Sequence, residues 1–385
     1  MLWRINKLIY DLKNLLSELE SDPDRLDLIG RIHDIQIDKI KCIEKKIKRL
    51  KKLERNESVL ERIEEYRRIL RAIRSFGDAM AMLYIPTWNL KPMAYHMEGY
   101  KRKQGAGNIS GKDGVAFERQ CLQAFLDKKI PCVMCDLTMG LRYGDICLLG
   151  AGDPMPVECK NTAGRLNQRG RRQLEYINRL VQFYINDQRE SGALKGVGGE
   201  MHSGVVLRRS VKSTEKVYVK ELNALIGEVI RDGFSSRKLE DGQSVYAFLA
   251  DKVDADLSFL NENIEDSFLW EMHEYAVWCD CVPYKPYVLI LDDVEKIIKV
   301  LAGEILIFVK ISTDVMGRLA LKRGVRLEMT DDELYPIELV PLDNVGKYMF
   351  ERFCISNGMI ERMLVEFISL NWVINNAIDI AEKSD

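Results

Sequence analysis

Four histidines among 385 residues, at positions 33, 96, 202 and 273, show no metal-ligand spacing, so the chain offers no histidine-built metal centre. Nine cysteines are spread without a regular interval, which excludes a disulfide framework and points to reduced thiols in a cytoplasmic protein. Cys132-x-x-Cys135 and Cys279-x-Cys281 lie far apart in the chain, and buried free thiols are a simpler reading of them than a shared zinc ion. No apolar run reaches the roughly 18 to 20 residues that span a bilayer, so no membrane partner is expected. Charge at Arg4 and Lys7 interrupts the N-terminus too early for a signal peptide. No Gly-x-x-x-x-Gly-Lys-Ser/Thr loop occurs, so no intrinsic ATPase is expected. Internal repeats and low-complexity tracts are missing as well. The 57 Lys/Arg and 59 Asp/Glu leave a net charge of −2, so any basic surface must be local.

What is present divides the chain into four stretches. Residues 1–85 read as helix: Ile40, Ile43, Ile47 and Leu50 follow a 3-4-3 spacing, and Val59, Ile63, Tyr66, Leu70 and Ile73 follow 4-3-4-3. Two apolar seams separated by Asn56-Glu57-Ser58 predict an antiparallel helical hairpin or a segmented coiled coil. Thirteen Lys/Arg against six Asp/Glu between Lys41 and Arg74 describe a solvated helical face or, alternatively, a basic arm on nucleic-acid backbone. Residues 86–113 carry Pro86, Pro92, Lys101-Arg102-Lys103 and several glycines, and read as a linker. Residues 114–210 read as a compact α/β unit with a mixed sheet. It has a helix from near Val115, a strand over Ile130–Leu137, a hairpin, a helix over about Gln168–Arg189 and a strand over Gly204–Leu207. Residues 211–385 form an α+β region of regulatory or partner-binding role. A helix is expected over Leu222–Ile230, strands over Tyr287–Leu291 and Glu304–Ile311, and a terminal helix over Met359–Ala381. Trp270, Trp278, Tyr284 and Tyr287 are expected to pack in a core.

The hairpin is the most informative stretch. Gly144-Asp145-Ile146-Cys147-Leu148-Leu149-Gly150, a turn through Asp153-Pro154, and Met155-Pro156-Val157-Glu158-Cys159-Lys160 are two short apolar runs flanking a turn. Alternation along a strand gives Glu158 and Lys160 one face, with Val157 and Cys159 on the other. Pairing of the two runs would bring Asp145 beside them. Two carboxylates and an ammonium at one sheet end suit Mg²⁺-assisted attack on a phosphodiester. Glu118, on the preceding helix, could reach the same end. Downstream, Arg165, Arg169, Arg171 and Arg172 cluster with Gly164 and Gly170 as a phosphate-gripping surface, followed by Gln173 and Tyr176.

Gly114-x-x-Phe117-Glu118, Gly144-Asp145 and Val157-Glu158-Cys159-Lys160-Asn161 together resemble the PD-(D/E)XK, or restriction-endonuclease-like, nuclease superfamily over roughly Gly111–Arg209. The run Glu-Cys-Lys-Asn-Thr is similar to the motif strand of Holliday-junction-resolvase-like and type IV restriction nucleases. The family's proline is replaced by Gly144, and its Gln-x-x-x-Tyr spacing is one residue shorter at Gln173 and Tyr176. The resemblance implies a restriction-endonuclease-like core that hydrolyses DNA with Mg²⁺ (Mn²⁺ substituting). The catalytic set would be Glu118, Asp145, Glu158, Lys160 and Gln173. Glu118, Asp145 and Glu158 would hold the metal, and Arg165, Arg169, Arg171, Arg172 and Tyr176 would grip the nucleic acid. It further implies an endonuclease effector of bacterial anti-phage defence, with DNA as partner. The N-terminal helices are expected to make a homodimer or higher oligomer, or to dock a protein partner. The alternative is a nuclease-like fold that only binds nucleic acid or protein. Paired carboxylates argue against that, because they repel a polyanion unless a cation bridges them.

Overall fold

The computed structural model describes residues 2–96, 103, 105–160, 168–195, 201–207, 213–252, 267–271, 285–332, 335–342, 348 and 351–382. It is a mixture of helices and small antiparallel sheets arranged as two units. One comprises residues 1–186 and 277–302, the other residues 187–276 and 303–385.

The first unit begins with three helices, α1 (Leu2–Ser21), α2 (Asp27–Leu50) and α3 (Glu57–Tyr84). Asn56 starts α3 as an N-cap, its side chain accepting from Val59 N at 2.9 Å. The contacts Gln36–Ile73 and Lys46–Tyr66 run in opposite chain directions, so α2 and α3 form an antiparallel hairpin. Ile40, Ile43, Ile47, Ile63, Tyr66, Leu70 and Ile73 are buried within this one chain. Residues 86–113 are more than a linker. Thr87–Leu90 and Lys91–Ala94 are helical turns whose Leu90, Pro92, Met93 and Ala94 are buried. Backbone bonds from Arg142 N to Met93 O and from Lys103 N to Ala94 O tie this stretch down.

Helix α4 (Val115–Asp127) then leads to strands β1 (Cys132–Met134), β2 (Ile146–Ala151) and β3 (Asp153–Val157). These pair antiparallel in the order β1-β2-β3, with Met134 opposite Ile146 and Ile146 opposite Val157. The strand expected over Ile130–Leu137 is shorter, because Cys135–Leu137 turns into a 3-10 helix that re-aims Asp136. Helix α5 (Gln168–Asn186) closes the unit's main stretch. Tyr287–Ile290, expected as strand, is a short helix starting after Pro286, whose carbonyl accepts from Leu289 N and Ile290 N. Tyr287 itself is buried, as expected. A four-residue apolar run has no period long enough to separate strand from helix.

The strand expected over Gly204–Leu207 forms, but not in the sheet of β1–β3. It belongs to β5 (Met201–Leu207), which pairs antiparallel with β4 (Gln188–Lys195) as a two-stranded sheet of the second unit. Among the described residues the three-stranded sheet therefore has no parallel strand, where a mixed sheet is expected from sequence. The β4–β5 hairpin is a short-range pairing, and closing a short loop costs less chain entropy than a crossover.

In the second unit, α6 (Val219–Asp232) buries Leu222, Leu225, Ile226 and Val229. It packs on a sheet of β6 (Phe234–Glu240), β7 (Gln243–Leu249), β8 (Ser267–Glu271) and β9 (Ile305–Ser312), ordered β6-β7-β9-β8. The expected terminal helix is two helices, Asn357–Val365 and Leu370–Ala381. The break has a local cause: Phe367 takes φ 55°, and Ser369 caps the second helix by accepting from Trp372 N.

Candidate functional site

The site is built where β2 begins and β3 ends. Register continued one step past Ile146–Val157 sets Asp145 opposite Glu158. The backbone reinforces this, since Asp145 N donates to Val157 O at 2.9 Å and Cys135 N donates to Asp145 O at 2.9 Å. Asp145 Oδ2 in turn accepts from Cys159 N at 2.7 Å. Gly144 explains the missing proline of the motif: its φ is +71°, which a pyrrolidine ring forbids. A Cβ there would also sit 2.7 Å from Val157 O. Glu158, Cys159 and Lys160 lie just past the last strand residue, Val157, instead of on the strand. Lys160 Nζ nevertheless donates to Glu158 Oε1 at 2.6 Å. Glu158 is buried, its side chain only 5% exposed, while Lys160 is 43% exposed. Glu158 Oε2 is buried and makes no hydrogen bond among the described residues.

Glu118 sits on α4 one turn before the buried Leu122, on the helix face turned to the sheet. Burial first, then the charges of Asp145, Asp136 and Glu158, push its carboxyl up to about 7, with Lys112 opposing. Asp145 is likewise raised, by burial and by Glu158, against the Cys159 N–H and Lys160. The carboxyls of Glu118, Asp136, Asp145 and Glu158 thus sense one another. Glu118 and Asp145 are both held back from ionising by burial and by neighbouring negative charge, the electrostatic signature of a site short of positive charge.

A cleft of about 200 Å³ opens beside them, lined by Gly105–Gly107, Lys112, Asp136, Arg142, Asp145, Gln173 and Tyr176 among others. Gln173, Tyr176 and Ile177 are on one face of α5, so the shortened Gln-Tyr spacing still brings both residues to the cleft that Asp145 also lines. His96 meets Tyr176 edge-on at 6.3 Å, and Lys103 lies 3.3 Å from the centre of the Tyr143 ring. Arg142 is spent on structure: its guanidinium donates to the carbonyls of Thr138, Met139 and Cys135. Of the arginine cluster, Arg171 and Arg172 are exposed on α5 and are not part of the cleft wall. Arg165 and the side chain of Arg169 lie outside the described residues, as do Cys279, Cys281, Trp278 and Tyr284. Cys132 and Cys135 are buried thiols turned to the carbonyls of Leu122 and Tyr143, at 3.7 and 3.2 Å. Burial raises the pKa of both, which keeps them protonated and unsuited to a zinc ion.

The cleft owes its shape to α2 and α3. Buried Arg74 donates to Asp136 O at 3.3 Å, to Gly107 O at 3.0 Å and to Glu44 Oε1 at 3.3 Å. Glu44 accepts from Ile109 N and Ser110 N at 3.1 and 2.7 Å. Asp78 accepts from Met139 N and Gly140 N at 2.6 and 2.8 Å. His33 Nε2 accepts from Met134 N, which obliges its Nδ1–H to donate to Gln36 Oε1 at 2.7 Å. Gly77 lets α3 come close, since a Cβ there would lie 2.3 Å from Leu137 O. Sequence reasoning missed these residues, and it missed Asp136 and Lys112 in the cleft.

No protein-family model matches the chain, and no curated protein or solved structure matches it. Among the described residues, no three His, Cys, Asp or Glu side chains are already gathered as a metal-binding group. The donor set nonetheless fits a hard divalent cation held by few protein ligands. Mg²⁺ is usually bound by one or two carboxylates, with waters and substrate phosphate oxygens completing its octahedron. Asp145 and the unpartnered Glu158 Oε2 offer that pair.

Proposed function

We propose that the sheet-end cluster of the first unit is the active site of a divalent-metal-dependent deoxyribonuclease with a restriction-endonuclease-like core. The observation that carries this reading is Glu158: a carboxylate with one oxygen on Lys160 and the other buried and unpartnered among the described residues, set opposite Asp145. A buried oxygen anion left without a donor is costly unless a ligand completes it.

Asp145 and Glu158 would hold Mg²⁺, with Glu118 contributing directly or through water. The ion, when bound, activates water and offsets charge on the scissile phosphate. Asp145 is kept in place by the Cys159 N–H. Lys160, anchored on Glu158 and half exposed, is a point cation at the edge where a phosphate would arrive. Glu118, with its carboxyl pushed up to about 7, exchanges a proton near neutral pH. Gln173 offers amide donors and acceptors from the opposite wall. Exposed Arg171 and Arg172 on α5 extend the surface for nucleic-acid backbone.

An endonuclease role in anti-phage defence follows from the family resemblance alone. In a homo-oligomer, two protomers would supply one site for each strand of a duplex. Their contact surface would not be the Ile40–Ile73 seam, which a single chain already buries. Incubation of the full chain with plasmid DNA and Mg²⁺ tests the reading. Nicking or linearisation should appear, vanish with EDTA, and fall at least about a hundredfold in Glu158→Ala and Lys160→Ala. Metal-independent DNA binding with no cleavage under any divalent ion would favour the binding-module reading instead.

A further inference from the structure

The cleft is lined by a carboxylate–ammonium pair that the nuclease motif does not account for. Lys112 Nζ is hydrogen-bonded to Asp136 Oδ2, and both line the cleft with Asp145. The pair is partly open to solvent, at 42% for Lys112 and 27% for Asp136. It resembles the Lys160–Glu158 pair, with an exposed ammonium resting on a more buried carboxylate. The charges of Lys112 and Asp136 both reach Glu118, so this pair belongs to the same electrostatic cluster.

Its surroundings are shaped for close approach. The wall beside Lys112 is Gly105-Ala106-Gly107, which presents almost no side chain to the cleft. A Cβ on Gly107 would meet only one atom within reach, Lys112 Nζ at 4.0 Å. The wall's position is set by the buried Glu44–Arg74 pair, which binds Gly107 O, Ile109 N and Ser110 N. Arg74 also binds Asp136 O, so one guanidinium sets the spacing between the wall and the pair. A polyanion entering a cleft flanked by several carboxylates needs cations beyond Lys160. Arg142 is fully turned to backbone carbonyls and Lys103 to Arg142 O and the Tyr143 ring.

We propose that Lys112 is a backbone-phosphate ligand of the substrate strand, resting on Asp136 until a phosphate along the Gly105–Gly107 wall takes its place. This rests on the nuclease reading and names a contact for it. Lys112 binds and positions the strand, whereas Asp136 acts through Lys112. Asp136 keeps the ammonium over the cleft and competes with phosphate for it.

The test uses the full chain and a fluorescein-labelled DNA duplex. Anisotropy is followed over a salt series with Ca²⁺ in place of Mg²⁺, and cleavage is measured with Mg²⁺. Lys112→Gln should weaken binding about five- to tenfold and lower the slope of log Kd against log salt by about one, as loss of one phosphate contact requires. It should raise KM more than it lowers kcat. Lys112→Arg should restore most of the affinity and the salt slope, and Asp136→Asn should tighten binding. Melting temperatures should stay at the wild-type value, since both side chains are partly exposed. Wild-type cleavage combined with unchanged Kd and salt slope in Lys112→Gln overturns this assignment and leaves the nuclease reading standing. Wild-type protein that neither binds nor cleaves DNA overturns both.

Discussion

A charge cluster in one unit and a charge cluster in the other are built in opposite ways. In the second unit Arg362 and Glu366 are each 4% exposed and bonded at 2.6 Å, and Arg362 also reaches Glu215 at 2.9 Å. Burial opposes the charge on Arg362, but Glu366 and Glu215 outweigh it and raise its pKa above the ordinary arginine range. That cluster is closed, with opposite charges present. In the first unit Glu118, Asp136, Asp145 and Glu158 lie near one sheet end with Lys112 and Lys160 at the margin, and the carboxyls of Glu118 and Asp145 are pushed toward the neutral form. That cluster is open, with negative charge in excess beside a cleft. A closed cluster serves the fold, whereas an open one holds unfavourable charge that a proton or a bound cation relieves.

The largest predicted effect lies in the closed cluster. Arg362→Met leaves Glu366 and Glu215 without their cation in a buried setting. It should cost about 3–5 kcal/mol, because removing one partner strands the others. Urea unfolding followed by far-UV circular dichroism reads this directly. Calcium binding by the folded protein should be unchanged. An equal loss of calcium affinity would mean that the two clusters are not independent.

A second, somewhat smaller effect is the pH dependence of the scaffold behind the open cluster. His33 is buried, and desolvation lowers its pKa from 6.5 to about 4 despite the bond to Gln36. The folded state therefore holds His33 neutral where the unfolded chain would protonate it. Its contribution is complete above pH 6.5 and is lost as pH falls toward about 4, up to about 3 kcal/mol at 1.36 kcal/mol per unit. Asp78 acts with the opposite sign. Burial raises its carboxyl to about 6, so its contribution is largest below the unfolded value and fades as pH rises through 6. The difference in unfolding free energy between wild type and His33→Asn isolates the histidine. That difference should grow with pH between about 4 and 6.5 and then level off. A constant difference would show that His33 is charged in the fold.

These scaffold residues also mark the limit of what sequence could reveal. The motif at 144–160 was legible because its parts are close in the chain: a hairpin carries Asp145 to Glu158, and Lys160 is two residues on. The clamp was illegible because its partners are backbone groups remote in sequence. Asp78 to Gly140 spans 62 residues, Glu44 to Ser110 spans 66 and His33 to Met134 spans 101. No periodicity encodes a bond to a distant N–H. One signal was available. His33, Gln36 and Glu44 interrupt the apolar stripe of Ile29, Ile32, Ile40, Ile43 and Ile47 on α2 at positions where a solvated residue does not belong. A polar residue in such a stripe must be bonded to something, and its partner is what the fold supplies. Of the two arrangements the seams allowed, helical hairpin or segmented coiled coil, α2 and α3 take the hairpin. The division at residue 86 was drawn from prolines and glycines, of which Pro92 is in fact buried and Gly105 and Gly107 line the cleft.

The smallest predicted effect sharpens the comparison from the open side. Glu118 keeps its proton up to about pH 7 in the fold but loses it near 4.5 in the unfolded chain. Its contribution is therefore present in full below 4.5 and is lost as pH rises through 7, so at pH 8 the ionised carboxylate weakens the metal-free protein. Glu118→Gln cannot ionise. At pH 8 it should be more stable than wild type by no more than about 1 kcal/mol, since solvent screens a half-buried group, and the two should converge toward pH 4.5. Calcium should reverse the order. A cation held beside Glu158 relieves the repulsion that raises the pKa values of Glu118 and Asp145, so the wild type should gain more in melting temperature than the variant. A variant destabilised at pH 8 without calcium would show that the Glu118 charge is already satisfied within the chain, and the contrast between the two clusters would disappear.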